Sequence, residues 1–422
     1  MGRMLPVLVS TAGALGLVGV TVLPVSASTA GGDDTDAEQP DQQTAQAWPT
    51  DFHAWTSTED FAAGESDGVV PADEGDGAVR LESGVEQGTW TSPWYDQEAF
   101  SRAVPSWQAD TPGDSYIEVE MLVRTADDIN VNWYQMGTWA FDSSAVQRQT
   151  HDGQSDGWGE IATDEYLAGD GVEPTGYRLR VTLHGAAGDS PVVKQLANTT
   201  ARPSADIPDT SEPIRNAEVE LDVPAYSQMT HRGEYPEFGG GGQVWCSPTS
   251  TTMVMEYYGV GPSQQDIDSL PADPVFDQNG RVDGQVDWAA IHTWDYTYQG
   301  AGNWAFNTAY AASYGLNASV QRMNSLRDVE ELVRDGVPVV ITIRWDNTNA
   351  DTSDDLEGAP IDSSNGHLMV VVGFTESGDP IVNDPAAASN EEVRRVYQRD
   401  QFEYNWIRSA RALAYVITEG AS

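Results

Sequence analysis

The chain has almost no cysteine, almost no lysine and little histidine. Of its 422 residues one is cysteine and six are histidine, and Lys194 is the only lysine. One cysteine excludes an internal disulfide and any zinc site built on several thiolates. No His-Glu-x-x-His stretch is present either, so zinc hydrolysis is not indicated and no cofactor is expected. The few positive charges face 66 Asp and Glu, for a formal net charge of -45. Such a surface repels nucleic acid and anionic lipid, so neither is expected as a partner. The acidic excess reads as a solvated surface adapted to high salt. Calcium is not indicated, because no loop spaces carboxylates regularly about a central glycine. Beyond Val25 no apolar run is long enough to span a bilayer.

What is present begins with Arg3, an apolar stretch from Leu5 to Val25, and the small residues Ser26-Ala27. This order reads as a secretory signal peptide over 1–27, so a secreted, extracellular protein without a membrane span after signal cleavage is expected. Residues 28–49 are acidic, rich in Gln and Thr, and poor in large apolar side chains, which predicts a disordered leader. From 50 to 197 short runs alternate apolar with polar residues, as in Tyr116 to Val123 and Tyr177 to Leu183. Period-two alternation between turn formers predicts an all-β sandwich or jelly roll. This domain carries Trp90, Trp94, Trp107, Trp133, Trp139 and Trp158. Such rings either fill a sandwich core or offer a platform for sugars, which makes a cell-wall or polysaccharide ligand one expectation. Residues 198–218, with Pro203, Pro208 and Pro213, read as a semi-rigid linker.

The second part, 219–422, is mixed α and β, which makes the fold class α+β. Ser247-Pro248 reads as a helix start, and Gly259 or Gly261 ends the run. A second helix from Ser325 places Leu326, Val329, Leu332 and Val333 on one face and stops at Gly336. Pro338 to Ile343 and Leu368 to Phe374 read as buried strands.

The sole thiol, Cys246, sits just before the Ser247-Pro248 helix start. Unpaired N–H groups and the helix dipole there favour an anion, so a thiolate nucleophile is expected. A free thiol in an exported protein is a liability unless it works. The base expected for it is His367, which opens an apolar strand behind Gly366. His53, His151 and His184 read as ordinary residues of the β domain, and His231 and His292 lack a distinctive partner. Asp384, in Asn383-Asp384-Pro385, could reach the second ring nitrogen of His367 from an adjacent antiparallel strand. Taken alone, that tripeptide reads as a turn; with Cys246 and His367 in this order it reads as the third member of a triad. For the oxyanion of an attacked amide, the Cys246 N–H and a glutamine upstream are expected donors. Gln228 and Gln243 both qualify by type.

Pro224 to Gln228, Cys246-Ser247-Pro248-Thr249-Ser250 with Met253 and Tyr257-Tyr258-Gly259, Gly366-His367 with its valine-rich strand, and Asn383-Asp384-Pro385 together resemble the bacteriocin-processing cysteine peptidases. These cut after double-glycine leaders and belong to the papain superfamily; the closer likeness is to secreted relatives that stand alone without a transporter. The resemblance implies a papain-like cysteine peptidase domain with Cys246, His367 and Asp384 as a triad and Gln228 as oxyanion donor. Two departures accompany it. Ser247 stands where the family usually has glycine, and Gln228 lies farther from the cysteine than usual, which keeps Gln243 open. The implied activity is hydrolysis of a peptide or protein substrate through a thioester. The alternatives are a cell-wall peptide amidase with the same triad, or a surface-binding protein whose catalytic half has decayed.

Overall fold

The computed structural model of the protein describes residues 48–72, 77–204, 206–214, 218–350 and 352–420. The expected signal peptide and most of the expected leader, 1–47, lie outside the described residues. No helix among the described residues is long and apolar enough to cross a membrane.

Residues 50–201 form two antiparallel sheets, one of seven strands and one of six, and Thr58–Ala63 is the only α-helix among the described residues there. The strands Tyr116–Arg124 and Gly176–His184 pair along their whole length in the six-stranded sheet. Their alternation has a plain cause. Ile117, Val119, Met121, Leu179, Val181 and Leu183 are buried, whereas Glu120 and Arg180 meet on the other face, with Nε 2.7 Å from Oε2. Trp90, Trp107 and Trp139 are fully buried. Trp94 lies under Arg124 and Trp133 under Arg180, with guanidinium carbons 4.6 and 4.2 Å from the ring centroids. Trp90, Trp107 and Trp139 thus serve the core, whereas Trp94, Trp133 and Trp158 are half-buried.

Two expected boundaries move. The strand Val192–Ala201 runs past residue 197 and pairs with Arg102–Asp110 and Thr50–Trp55. Trp48, assigned to the leader, is buried, and its Nε1 donates to Ser204 Oγ and the Asp206 carbonyl at 2.9 and 3.0 Å. The segment after Ala201 is no free spacer. Ser211 N–H donates to Glu403 Oε2 at 2.8 Å, and Arg399 Nε donates to the Ser211 carbonyl at 2.8 Å. Proline removes backbone donors from this segment, and side chains of the second half supply its partners instead.

The second half has one seven-stranded antiparallel sheet. Its strands run, in spatial order, Asn317–Arg322, Leu413–Thr418, Val339–Asp346, Ser363–Phe374, Pro380–Asn383 and Arg394–Val396; Val219–Glu220 also pairs with Ser363–Phe374. Val370 and Val372 pack in the cluster that includes Met253 of the helix Cys246–Tyr257. Met369 and Val371 pack in another with the helices Leu326–Arg334 and Arg399–Ala410. Burial on both faces is why this strand reads as a continuous apolar run.

The halves share a single hydrophobic cluster. Phe306, on the helix Trp304–Ala312, meets Trp107 and Trp139 with centroids 6.1 and 5.6 Å apart. Gly137 packs tightly opposite: a Cβ there would lie 3.0 Å from the Trp107 ring. Buried Arg322 of the second half pairs with Glu165 of the first at 2.9 Å. Beside it, Asp164 Oδ2 accepts the Trp304 N–H at 2.7 Å.

Burial pushes Asp164 up to about 7, and the charges of Glu165 and Asp295 add to it against the Trp304 N–H. An unfolded aspartate titrates near about 3.9, so the folded state holds this proton more tightly. The stability it contributes is full below about pH 4 and is lost as pH rises through about 7. Asp164→Asn keeps an acceptor for Trp304. It is expected to flatten the fall in melting temperature between about pH 5 and 8 relative to the parent. An unchanged slope would show that Asp164 stays ionised in the interface.

Candidate active site

Cys246 is the first residue of the helix Cys246–Tyr257, one residue earlier than the helix start read from Ser247-Pro248. Pro248 sits in the first turn, where its missing N–H has no helical partner to lose. Gly259, with φ +73°, ends the helix. Cys246 itself is half-buried.

His367 lies in the strand Ser363–Phe374, opposite Ile343. Its Nε2 is 2.7 Å from Asp384 Oδ1, at the end of the adjacent strand Pro380–Asn383. With Nε2 engaged by a carboxylate, that nitrogen carries the proton and Nδ1 is left for the thiol. Asp384 is buried and takes two further donors: the Ala386 N–H on Oδ1 at 2.9 Å and the Tyr397 hydroxyl on Oδ2 at 2.7 Å. The edge of Trp345 closes over the imidazole, with centroids 5.5 Å apart.

Burial by itself would lower the His367 pKa, but the charge and hydrogen bond of Asp384, followed by those of Cys246, raise it to about 10. Burial likewise would raise the Cys246 thiol. The hydrogen bond and charge of His367, with the backbone N–H groups of Leu368 and Ser247, bring it below its ordinary value. Asp384 is held below its ordinary range, because His367 and Tyr397 outweigh its burial. All three shifts run toward the charged form of the group: thiolate, imidazolium and carboxylate.

The two glutamines differ. Gln243 is exposed, in the short turn Gly242–Val244. It lines a cleft of about 550 Å³ with Pro360, Ile361, Asp362, Ser363 and Ser364, the stretch leading into the strand of His367. Gln228 is buried, and its N–H donates to the carbonyl of Pro385, next to Asp384, at 2.9 Å. Its side-chain oxygen has no hydrogen-bond partner among the described residues. The distance along the chain between Gln228 and Cys246 is spanned by a loop that folds back on itself. Gly241, with φ +58°, approaches so closely that a Cβ there would lie 1.9 Å from the His231 carbonyl oxygen.

Residues 220–413 match the Peptidase_C39 like family, and residues 51–201 match the Peptidase C39 N-terminal domain. The second half is thus similar to the C39-like peptidases over residues 220–413. No curated protein matches the chain. Among solved structures, one described as a C39-like peptidase from Bacillus anthracis is 18% identical, with a TM-score of 0.32, over 49% of this chain and 100% of that one. A structure of infectious bursal disease virus is 12% identical (TM-score 0.21; 44% of this chain, 41% of that one). An endo-1,4-beta-D-xylanase of Clostridium thermocellum, CBM22-1-GH10 modules with xylohexaose, is 8% identical (TM-score 0.21; 42% and 31%). Scores this low carry no weight for fold or function.

Within this matched region, Ser247 stands where the resembled family has glycine. It is buried, with its hydroxyl 2.9 Å from that of Tyr415. Asn383 donates to the Pro224 carbonyl at 2.9 Å and accepts from Arg394 Nε at 2.6 Å, which anchors the segment leading to Gln228. The sequence reading missed Tyr397, which has no motif around it. It also treated His231 as partnerless, whereas His231 Nδ1 lies 2.8 Å from Glu234 Oε2 and 3.1 Å from Asp287 Oδ2. Glu234 stands one helical turn on, a local signal that could have been read. His292 is stacked on Trp288, with centroids 3.9 Å apart and Nδ1 2.8 Å from that residue's carbonyl oxygen. Burial pushes it down to about 4, so it is neutral.

Proposed function

We propose that this protein is a secreted, papain-like cysteine peptidase in which Cys246, His367 and Asp384 form the catalytic triad. The observation that carries this reading is His367, whose Nε2 lies 2.7 Å from Oδ1 of buried Asp384 and whose charge favours the anion of the single thiol at a helix start. In this reading the Cys246 thiolate attacks the peptide carbonyl carbon and pushes its electrons onto oxygen. The Cys246 N–H and a glutamine amide, Gln228 in preference to Gln243, donate to that oxyanion. His367 gives its proton to the leaving amine as the C–N bond breaks and the thioester forms. It then takes a proton from water, which attacks the thioester, releases the acid and restores the thiol pair. Gln228 is preferred because it is buried beside the Asp384 turn, whereas Gln243 faces solvent at the rim of the cleft. The cleft, lined by Gln243, Asp362, Ser363 and Ser364, is polar and suits an extended peptide more than an apolar ligand.

The test pairs labelling with substrate choice. An epoxide-type thiol reagent is expected to modify about one site per chain, at Cys246, and to abolish cleavage of unfolded protein in step with labelling. Cleavage of purified peptidoglycan peptides but not of unfolded protein would move the reading to a cell-wall amidase. Complete labelling without any loss, or no turnover of either substrate, would sink the enzyme reading.

A further inference from the structure

Beside the proposed oxyanion turn lies a second cluster that the catalytic reading does not use. His231 ends the turn Gln228–His231, Glu234 follows it, and Asp287 projects from the helix Gly284–Thr293. Their exposures are 1%, 1% and 0%. One ligand atom from each lies within 4.8 Å of the others. Two carboxylates and an imidazole are thus gathered where water does not reach, against the ring of Trp245, whose centroid is 6.0 Å from that of His231.

The cluster is not satisfied by its own hydrogen bonds. Neither oxygen of Asp287 has a hydrogen-bond partner among the described residues, although Oδ2 comes within 3.1 Å of His231 Nδ1. A carboxylate so enclosed is costly unless positive charge is supplied to it, and one imidazole stands here against two carboxylates. Glu234 is oriented from outside: Asn279 Nδ2 donates to its other oxygen, Oε1, at 2.7 Å. That is how a carboxylate ligand is held by the shell behind it.

We propose that His231, Glu234 and Asp287 bind one divalent cation through one imidazole nitrogen and two carboxylate oxygens. The donor set selects among ions. With no sulfur and one nitrogen it suits zinc or manganese, whereas calcium takes six to eight oxygens. The separations between His231 Nδ1 and the two oxygens, 2.8 and 3.1 Å, need to open only slightly around an ion with bonds of about 2.0–2.2 Å. Two carboxylates balance the ion's charge, so the buried site is neutral when filled. The ion would pin the turn carrying Gln228 to the helix Gly284–Thr293, and so act on the catalytic half by position and not by chemistry.

The test uses the untagged full chain with Cys246→Ala, so that the proposed thiol–imidazole pair cannot hold the metal. The protein is dialysed against a chelator, then against zinc or manganese chloride, and metal content and melting temperature are measured. About one ion per chain and a higher melting temperature are expected. Asn279→Ala, added to the same background, should weaken binding on the order of 10- to 100-fold by freeing Glu234. Asp287→Asn should remove retention altogether. If Asp287→Asn does not fold, X-ray absorption of the loaded parent decides, because it must show imidazole and oxygen scatterers and no sulfur. A folded parent that retains neither ion overturns the proposal and leaves three groups sharing protons. Equal retention by the parent and a folded Asp287→Asn variant places the ion elsewhere and overturns it as well.

Discussion

Cys246→Ala is expected to abolish peptide hydrolysis, with a loss on the order of a millionfold, and to leave the fold intact. The residue is half-buried at a helix start and forms no disulfide, so a smaller side chain removes one sulfur and little packing. A parallel measurement reads the state of the thiol. Because His367 and the backbone N–H groups of Leu368 and Ser247 favour the anion, the thiolate persists below the pH at which a free cysteine protonates. Alkylation by iodoacetamide should therefore stay fast well below about pH 8, where an ordinary thiol slows tenfold per unit. In His367→Ala the partner is gone but burial remains, so the thiol pKa should rise above its ordinary value and alkylation should be confined to alkaline solution. Turnover by Cys246→Ala in a preparation free of other peptidases would end the peptidase reading. An alkylation profile that His367→Ala leaves unmoved would separate the histidine from the thiol.

His367→Ala should be as severe as loss of the nucleophile, since it removes both the thiolate's partner and the acid for the leaving amine. Asp384→Asn should cost less, on the order of ten to a thousandfold. The reason lies in its partners. Asp384 gathers three donors: His367 and Ala386 on Oδ1, and Tyr397 on Oδ2. Asparagine can keep its oxygen toward His367 and Ala386 if the amide nitrogen faces the Tyr397 hydroxyl, which can turn to accept. The tautomer is then retained and the imidazolium loses only the neighbouring charge. Tyr397→Phe in the Asp384→Asn background removes that acceptor and should deepen the loss. The double variant His367→Ala, Asp384→Asn should be no worse than His367→Ala alone, because a carboxylate has nothing to orient once the ring is gone. Losses that multiply in the double variant would make Asp384 independent of His367 and return Asn383-Asp384-Pro385 to a turn.

Local patterns were legible where one face of an element meets water or where an end is marked. Glu118 and Glu120 alternate with buried residues in Tyr116–Arg124, so that strand could be read. The helix Leu326–Arg334 buries Leu326, Val329 and Val333 and ends before Gly336, as its spacing and glycine predict. The helix carrying Cys246 was legible from Ser247-Pro248 and Gly259. Trp48 and the segment after Ala201 were misread, because composition reports only the lack of regular structure. It does not say whether backbone groups find partners on another element, as those of Ser211 do with Glu403 and Arg399.

The amino-acid sequence by itself determined the single thiol, its place at a helix start, the histidine opening an apolar strand, and the division into a β-rich and a mixed half. Each of these depends on residues near one another in the chain, where propensity, capping and periodicity act. The tertiary structure alone decided which side chains complete the site. Tyr397 reaches Asp384 from beyond the next strand and Asp287 reaches His231 from a separate helix, and Gln228 and Gln243 differ in burial and not in type. It also decided that the two halves share one core through Trp107, Trp139 and Phe306. Nothing local encodes such meetings. They arise when buried polar groups must find partners and apolar faces must cover one another, and those demands are met only in the folded chain.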